Sequence, residues 1–158
     1  SDKLVNKNYF QVNIFEANVQ IKDFYTEVRF YNPYAPSVAR WQYGIGFRKS
    51  NNSEFRVDVH DDGRWFFMLL DANDEERTDV LSAGNLTIWD STDKGSNLLR
   101  ISAKQDIGSL YINGQFVSTL ILGQKTESGS IYVGTNFSGG AKVGSSTRYE
   151  NFTIWTNP

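Results

Sequence analysis

Apolar and polar residues alternate along Glu54-Phe-Arg-Val-Asp-Val-His60, break at Asp61-Asp62-Gly63, and resume as the apolar run Trp65-Phe-Phe-Met-Leu-Leu70. Alternation with period two marks a half-buried strand. The Asp62-Gly63 pair predicts a two-residue type I′ hairpin, because both central residues of that turn need φ > 0. In that register His60 faces Trp65, Val59 faces Phe66, Asp58 faces Phe67 and Val57 faces Met68. Phe55, Val57, Val59, Phe66, Met68 and Leu70 then share a core face, and Arg56, Asp58, His60, Trp65, Phe67 and Leu69 share the other. Rings beside charged hydrogen-bonding groups on one face suit a polar, ring-shaped ligand such as a sugar.

The same reading predicts strands over residues 10–15, 19–21, 24–31, 42–49, 54–60, 64–70, 86–89, 97–104, 109–113, 115–120, 130–135 and 149–155. Asn113-Gly114 is a second hairpin signal of the same kind. Residues 71–83 lack a sustained helical stripe and read as a loop with at most one helical turn. Many short strands at near-regular spacing predict an all-β, antiparallel two-sheet β-sandwich occupying residues 1–158 as a single domain.

Extending the parity to neighbouring strands gathers the candidate chemistry. With Val28 and Phe30 inward, Tyr25, Glu27, Arg29 and Tyr31 point outward; with Tyr43, Ile45 and Phe47 inward, Gln42, Gly44, Gly46 and Arg48 point outward. Two glycines within one strand weaken it and mark a close approach to the backbone. These residues predict a trough floored by Gly44 and Gly46 and walled by Tyr25, Glu27, Arg29, Tyr31, Arg48, Arg56, Asp58, His60, Trp65 and Phe67. The competing reading of the same residues is a self-satisfied lattice in which Glu27 and Asp58 pair with Arg29, Arg48 and Arg56 across strands. Trp41 shares the parity of Tyr43 and belongs to the core.

Composition removes whole classes of function. The chain has no cysteine, which excludes disulfides, thiolate nucleophiles and cysteine-based zinc sites, and its single histidine excludes a histidine-rich metal site. A net charge of −2 with scattered basic residues gives no footprint for nucleic acid. No apolar run approaches the roughly 20 residues of a membrane span. Neither a Gly-x-Ser-x-Gly elbow nor a phosphate-binding glycine loop is present. The acidic segment Asp71-Ala-Asn-Asp-Glu-Glu-Arg-Thr-Asp79 offers hard oxygen donors, so Asp71, Asn73, Asp74 and Asp79 are a candidate Ca²⁺ set, although the segment lacks the glycine of an EF-hand loop. No other cofactor is called for.

In order along the chain, Tyr43-Gly-Ile-Gly-Phe-Arg48, Phe55-Arg-Val-Asp-Val-His-Asp-Asp-Gly-Arg-Trp65, Asn97-Leu-Leu-Arg-Ile-Ser-Ala103, Leu110-Tyr-Ile-Asn-Gly114, Gly129-Ser-Ile-Tyr-Val-Gly134 and Tyr149-Glu-Asn-Phe-Thr-Ile154 resemble the concanavalin A-like (laminin G-like) jelly roll, over residues 24–155. That resemblance implies two antiparallel sheets, one of them concave, with the first and last strands side by side. It implies a non-catalytic, lectin-like module binding a glycan or polysaccharide on the concave face. It also implies an extracellular or cell-surface setting within a larger exported bacterial protein. Two alternatives stand beside it: a sugar-cleaving enzyme related to the 3-keto-disaccharide hydrolases using Glu27 or Asp58, and a structural or interaction ectodomain with no small ligand. The Glu-x-Asp-x-x-Glu string of many jelly-roll glycosidases is absent.

Overall fold

A computed structural model describes residues 2–72 and 77–156. Twelve strands form two antiparallel sheets, and no helix occurs among the described residues, so none is long and apolar enough to cross a membrane. They are β1 (Asp2–Val5), β2 (Asn13–Ile21), β3 (Phe24–Tyr31), β4 (Gln42–Ser50), β5 (Ser53–His60), β6 (Arg64–Asp71), β7 (Arg77–Asn85), β8 (Ser96–Lys104), β9 (Ile107–Ile112), β10 (Gln115–Ile121), β11 (Gly129–Thr135) and β12 (Ser146–Thr156). The first sheet runs β1-β12-β3-β8-β9-β10 and the second β2-β11-β4-β5-β6-β7. The first and last strands pair, Asp2 opposite Tyr149, as the jelly-roll resemblance implies.

The core lies between the two inner faces. Phe24, Val28, Phe30, Leu99, Ile101 and Leu110 of the first sheet meet Tyr43, Ile45, Phe47, Phe55, Val57 and Val59 of the second, all fully buried. Phe30 stacks on Tyr43 at 4.4 Å, and Trp41 stacks on the other side of Tyr43 at 5.2 Å. The Trp41 indole N–H donates to the Tyr34 carbonyl at 3.0 Å, so this buried ring keeps its one polar atom satisfied.

The β5–β6 hairpin differs from the sequence expectation by one residue. Val59 faces Trp65, Asp58 faces Phe66 and Val57 faces Phe67. Only Gly63 of the turn has positive φ, and its N–H donates to the His60 carbonyl at 2.9 Å. This is the three-residue connection ending in a left-handed glycine, not the two-residue type I′ turn. The longer loop also employs both aspartates: Asp62 accepts from the Arg64 amide at 3.1 Å, and Asp61 pairs with Arg40 at 3.0 Å. The phase of β5 is as expected, but β6 is inverted, so Trp65 and Phe67 enter the core and Phe66, Met68 and Leu70 take the outer phase. At Asn113-Gly114 both residues have positive φ, and Ile112 faces Gln115 in the expected two-residue turn.

Three further differences concern strand boundaries. Residues 13–15 and 19–21 belong to one strand, β2, which begins at Asn13 and not at residue 10, and β1 was not expected. Residues 86–89 form no strand; there Trp89 closes one end of the sandwich against Trp41 and Tyr43 at 6.0 and 5.9 Å. The segment expected as an acidic loop instead leads into β7, with Asp71 opposite Arg77 and Asp79 opposite Leu69.

The outer face of the second sheet as a candidate functional site

The middle of the second sheet presents a polar row. Pairs of β4 and β5 set Gln42 beside His60, Gly44 beside Asp58 and Gly46 beside Arg56. Since directly paired residues share a face, these six lie together on the outer surface, with Phe66 and Met68 of β6 on one flank and Tyr132 and Gly134 of β11 on the other. The strands carry alternate residues into the core, which fixes the orientation of every member of the row.

Aromatic rings fold over the two glycine-containing strands. A Cβ on Gly46 would lie 2.1 Å from the Tyr132 ring, and one on Gly134 would lie 2.6 Å from the Phe137 ring. The Arg56 guanidinium stacks over Phe137 at 4.4 Å. The Tyr132 hydroxyl donates to Glu54 at 2.5 Å. Burial, reinforced by the Glu54 charge, pushes the Tyr132 phenol far up, while burial raises the Glu54 carboxyl despite the Tyr132 hydrogen bond. Gly46 is therefore required by the protein's own Tyr132. Gly44 is required by the neighbouring backbone, since its Cβ would sit 2.0 Å from the Val57 carbonyl oxygen.

Asp58 is the centre of the row and is almost completely buried. Its carboxylate lies 3.7 Å from Arg56 Nε and 3.5 Å from His60 Nε2, within ion-pair reach but without hydrogen-bond geometry to either. Three buried side-chain atoms here have no hydrogen-bond partner among the described residues: Gln42 Oε1, Arg56 Nε and Asp58 Oδ1. Buried polar groups are normally satisfied, and each unmet one costs on the order of 1–3 kcal/mol. Three on two adjacent strands set this face apart from the outer face of the first sheet, where the carboxylates of Glu27 and Glu150 accept from basic side chains.

Two depressions open on the face. One of 320 Å³ is lined by Tyr9, Gln42, His60, Asp61, Arg64 and Gly139. The other, of 500 Å³, is lined by Lys49, Glu54, Arg56, Leu70 and Phe137 among others. Tyr9 is half exposed and in edge-to-face contact with Phe10 at 4.8 Å, a ring available for stacking at the rim of the smaller depression.

The residues proposed from sequence do not form one trough. Arg56, Asp58 and His60 stand together as expected. Tyr25, Glu27, Arg29 and Tyr31 lie on β3, in the first sheet, so they face outward on the opposite side of the sandwich. There they are satisfied by partners other than the expected arginines: Arg100 donates to Glu27 at 2.8 Å, Tyr31 and Arg148 both donate to Glu150 at 2.7 Å, and Arg29 donates to Ser96 at 3.2 Å. Trp155 packs on Tyr25 at 5.2 Å. Trp65 and Phe67 are in the core because β6 is inverted.

Arg48 is also removed from the face. A register shift after Phe47 gives Arg48 a φ of 49° and turns its side chain inward, where it is fully buried. Its guanidinium donates to the carbonyls of Lys22 at 3.1 Å, Lys125 at 2.8 Å and Gln105 at 2.7 Å, joining three turns at one end of the sandwich. Burial lowers its pKa, with Asp23, at 3.7 Å, opposing.

Of the candidate Ca²⁺ ligands, Asn73 and Asp74 lie outside the described residues, whereas Asp71 ends β6 and Asp79 lies on β7. Among the described residues no group of three or more histidines, aspartates or glutamates is arranged to hold a metal ion.

The contributions of Tyr9, Tyr132 and Phe137 were not apparent in the sequence. Gln42 was expected to point outward with Gly44 and Gly46, and the structure sets it beside His60 at the end of the row. Tyr132 and Phe137 reach the site only because β11 inserts between β2 and β4, a long-range pairing with no local signal.

No protein-family model and no curated protein sequence matches the chain. Solved structures do match in fold. The carbohydrate-binding module CBM66 from Bacillus subtilis aligns over 92% of this chain and 82% of its own, with a TM-score of 0.66 and 11% identity. Sheep galectin-11, in complex with glycerol, aligns over 87% of this chain and 95% of its own, with a TM-score of 0.57 and 11% identity. A Bacteroides ovatus mixed-linkage glucan GH16 in complex with a product aligns over 87% of this chain and 70% of its own, with a TM-score of 0.63 and 6% identity. With two six-stranded antiparallel sheets, paired terminal strands and these neighbours, the chain has the concanavalin A-like jelly-roll fold.

Proposed function

We propose that this domain is a non-catalytic carbohydrate-binding module whose outer second-sheet face holds a glycan. The observation that carries the reading is the 320 Å³ depression in which Gln42, His60, Asp61 and Arg64 lie beside the accessible ring of Tyr9. Sugar hydroxyls are both donors and acceptors and so match a mixed set of acceptor and donor groups, while a sugar's apolar ring face stacks on an aromatic. A carbohydrate-binding module, galectins and glycoside hydrolases among the fold neighbours support the same ligand class.

Hydrolysis by the carboxylates nominated from sequence is disfavoured by placement. Glu27 and Asp58 lie on opposite outer faces of the sandwich, so they do not flank one glycosidic bond. Glu54 and Asp58 share a face but stand four residues apart on β5, about 13 Å along the strand, beyond the roughly 5–9.5 Å span of paired glycosidase carboxylates.

The test is a glycan-array screen of the purified protein, followed by calorimetric titration of the best-bound oligosaccharide into wild type, Tyr9→Ala and His60→Ala. Each variant is expected to weaken binding by about fivefold or more, the loss of one stacking or hydrogen-bonding partner. Two folded variants with undiminished affinity would place the site elsewhere.

A further inference from the structure

Strands β7 and β10 are the outer edges of the two sheets on the side of the sandwich away from β1 and β2. A 350 Å³ groove opens between them, and the connection from β7 to β8 contributes Leu86, Thr87 and Ile88 to its lining. Trp65 also lines it, although the residue is only 5% exposed. Trp65 pairs with Gly84 across β6 and β7, so the two share the inner face. A Cβ on Gly84 would lie 2.9 Å from the indole Nε1 and 3.4 Å from the ring carbon beside it, so the glycine leaves that edge of the indole uncovered. Buried indole N–H groups usually find a partner, as that of Trp41 does in the Tyr34 carbonyl, but that of Trp65 has none among the described residues. On the opposite wall β10 bulges. Phe116 faces Tyr111 and Ser118 faces Leu110, which leaves Val117 without an opposite residue and brings both Phe116 and Val117 to the groove. Phe116 is 56% exposed, a ring at the mouth in edge-to-face contact with Tyr111 at 5.6 Å.

We infer that this groove binds a neutral, planar aromatic molecule carrying one hydrogen-bond acceptor, of the aryl ketone class, at a site separate from the glycan face. The lining selects that class. None of the described residues around the groove is charged, so an ionised group entering it would lose hydration without gaining an ionic partner. Leu86, Ile112 and Val117 offer no side-chain partner to hydroxyls, and a sugar sunk between them would leave most of its polar groups unsatisfied. An aromatic ring instead meets apolar walls and the ring of Phe116. Its single acceptor, directed at the floor, takes the Trp65 N–H. The remaining side-chain polar groups belong to the rim, where the exposed Thr87 donates to the exposed Gln115 at 3.4 Å. The volume is near the lower end of the range for small-molecule pockets and suits about one or two fused rings. The groove opens at the sheet edges, whereas the glycan row lies on the outer face of β4 and β5, so filling one leaves the other open.

Acetophenone is the probe, with ethylbenzene as a similar shape lacking the acceptor, benzoate as the charged counterpart and methyl glucoside as the sugar. The chain has four tryptophans, so nitrogen–proton correlation NMR resolves four indole N–H peaks, and the one missing from Trp65→Phe belongs to Trp65. Acetophenone is expected to move that peak alone, with half-saturation at about 1 mM, the affinity open to a fragment of its size. Benzoate and methyl glucoside are expected to leave it in place. Ethylbenzene is expected to bind about fivefold more weakly than acetophenone, read by ligand line broadening, and that difference is expected to vanish in Trp65→Phe. Gly84→Ala covers the indole nitrogen and Phe116→Ala removes the ring at the mouth. Both are expected to fold, which melting curves verify, and to weaken acetophenone binding by about threefold or more. A Trp65 peak unmoved by acetophenone at about 10 mM overturns the proposal, as does an equal shift of all four indoles. An equal response to ethylbenzene or methyl glucoside, or undiminished binding in both Gly84→Ala and Phe116→Ala, overturns it as well.

Discussion

Replacing Arg48 by methionine separates the two placements of this residue, on a ligand face or within a buried clamp. Arg48 is fully buried and donates to the carbonyls of Lys22, Gln105 and Lys125, which belong to the β2–β3, β8–β9 and β10–β11 connections. Methionine fills much of the same volume, so the loss is mainly of the three charge-assisted bonds. A hydrogen bond to a charged group contributes about 1.5–3 kcal/mol, but part is recovered because the desolvation of the guanidinium also disappears. The net cost is about 3–5 kcal/mol, in line with the removal of one partner from a buried charged network. For a chain of this size each kcal/mol shifts the melting temperature by about 2–4 °C, so Arg48→Met is expected to melt roughly 10–15 °C lower. Arg48→Lys keeps the charge but lacks the planar fork that reaches three carbonyls, and is expected to fall between. Calorimetric melting at neutral pH measures both. Glycan affinity, taken well below the transition, is expected to be unchanged. An Arg48→Met protein that melts within about 3 °C of wild type would refute the clamp, because that interval corresponds to only about 1 kcal/mol.

Trp65→Ala removes a buried indole packed against Gly84 and is expected to cost about 3–5 kcal/mol in chemical denaturation; little loss of stability would return Trp65 to the surface. Gly46→Val puts a side chain into the Tyr132 ring and displaces its hydroxyl from Glu54, an expected cost of about 2–3 kcal/mol by the same measurement. Glu54 has its folded pKa raised by burial, so the folded state binds its proton more tightly than the unfolded chain. Its contribution is accordingly most favourable below the unfolded pKa and is lost as pH rises through the raised folded value. Glu54→Gln, which keeps an acceptor for Tyr132, is expected to gain stability near neutral pH and to show a flatter stability–pH curve above pH ~4, read from denaturation midpoints across pH.

The architecture was legible because most of its strands alternate cleanly. β3 reads Phe24-Tyr-Thr-Glu-Val-Arg-Phe-Tyr31, and burial follows that alternation residue by residue. The Asn113-Gly114 turn was legible because no competing residue adjoins it. Strand β6 was not, because Trp65-Phe-Phe-Met-Leu-Leu70 is apolar on both parities and does not itself choose a face. The choice then fell to the turn, where Asp61, Asp62 and Gly63 can close either a two- or a three-residue loop. Side-chain bonds to Arg40 and Arg64, and the larger rings that the longer loop sends inward, favour the latter. β7 was missed for the opposite reason: at an edge it pairs on one side only, and Val80 is exposed, so its apolar content is too low to show a period.

The candidate site was half legible, and the line between the halves is a topological one. Parity along a strand assigns a residue to a face but does not tell which sheet the strand joins. Arg56, Asp58 and His60 were placed correctly beside Gly44 and Gly46 because β4, β5 and β6 are consecutive hairpin strands. Tyr25, Glu27, Arg29 and Tyr31 have the right parity on a strand that belongs to the other sheet, where Glu27, Arg29 and Tyr31 find partners in Arg100, Ser96 and Glu150 of the neighbouring strands. The charged residues are thus satisfied to different degrees on the two outer faces. On the first sheet Glu27 and Glu150 have basic partners at 2.8 and 2.7 Å, whereas on the second Asp58 stands 3.5 Å or more from Arg56 and His60. That contrast in satisfied hydrogen bonding, more than the presence of aromatic or charged residues, directs the search for a ligand to the second sheet.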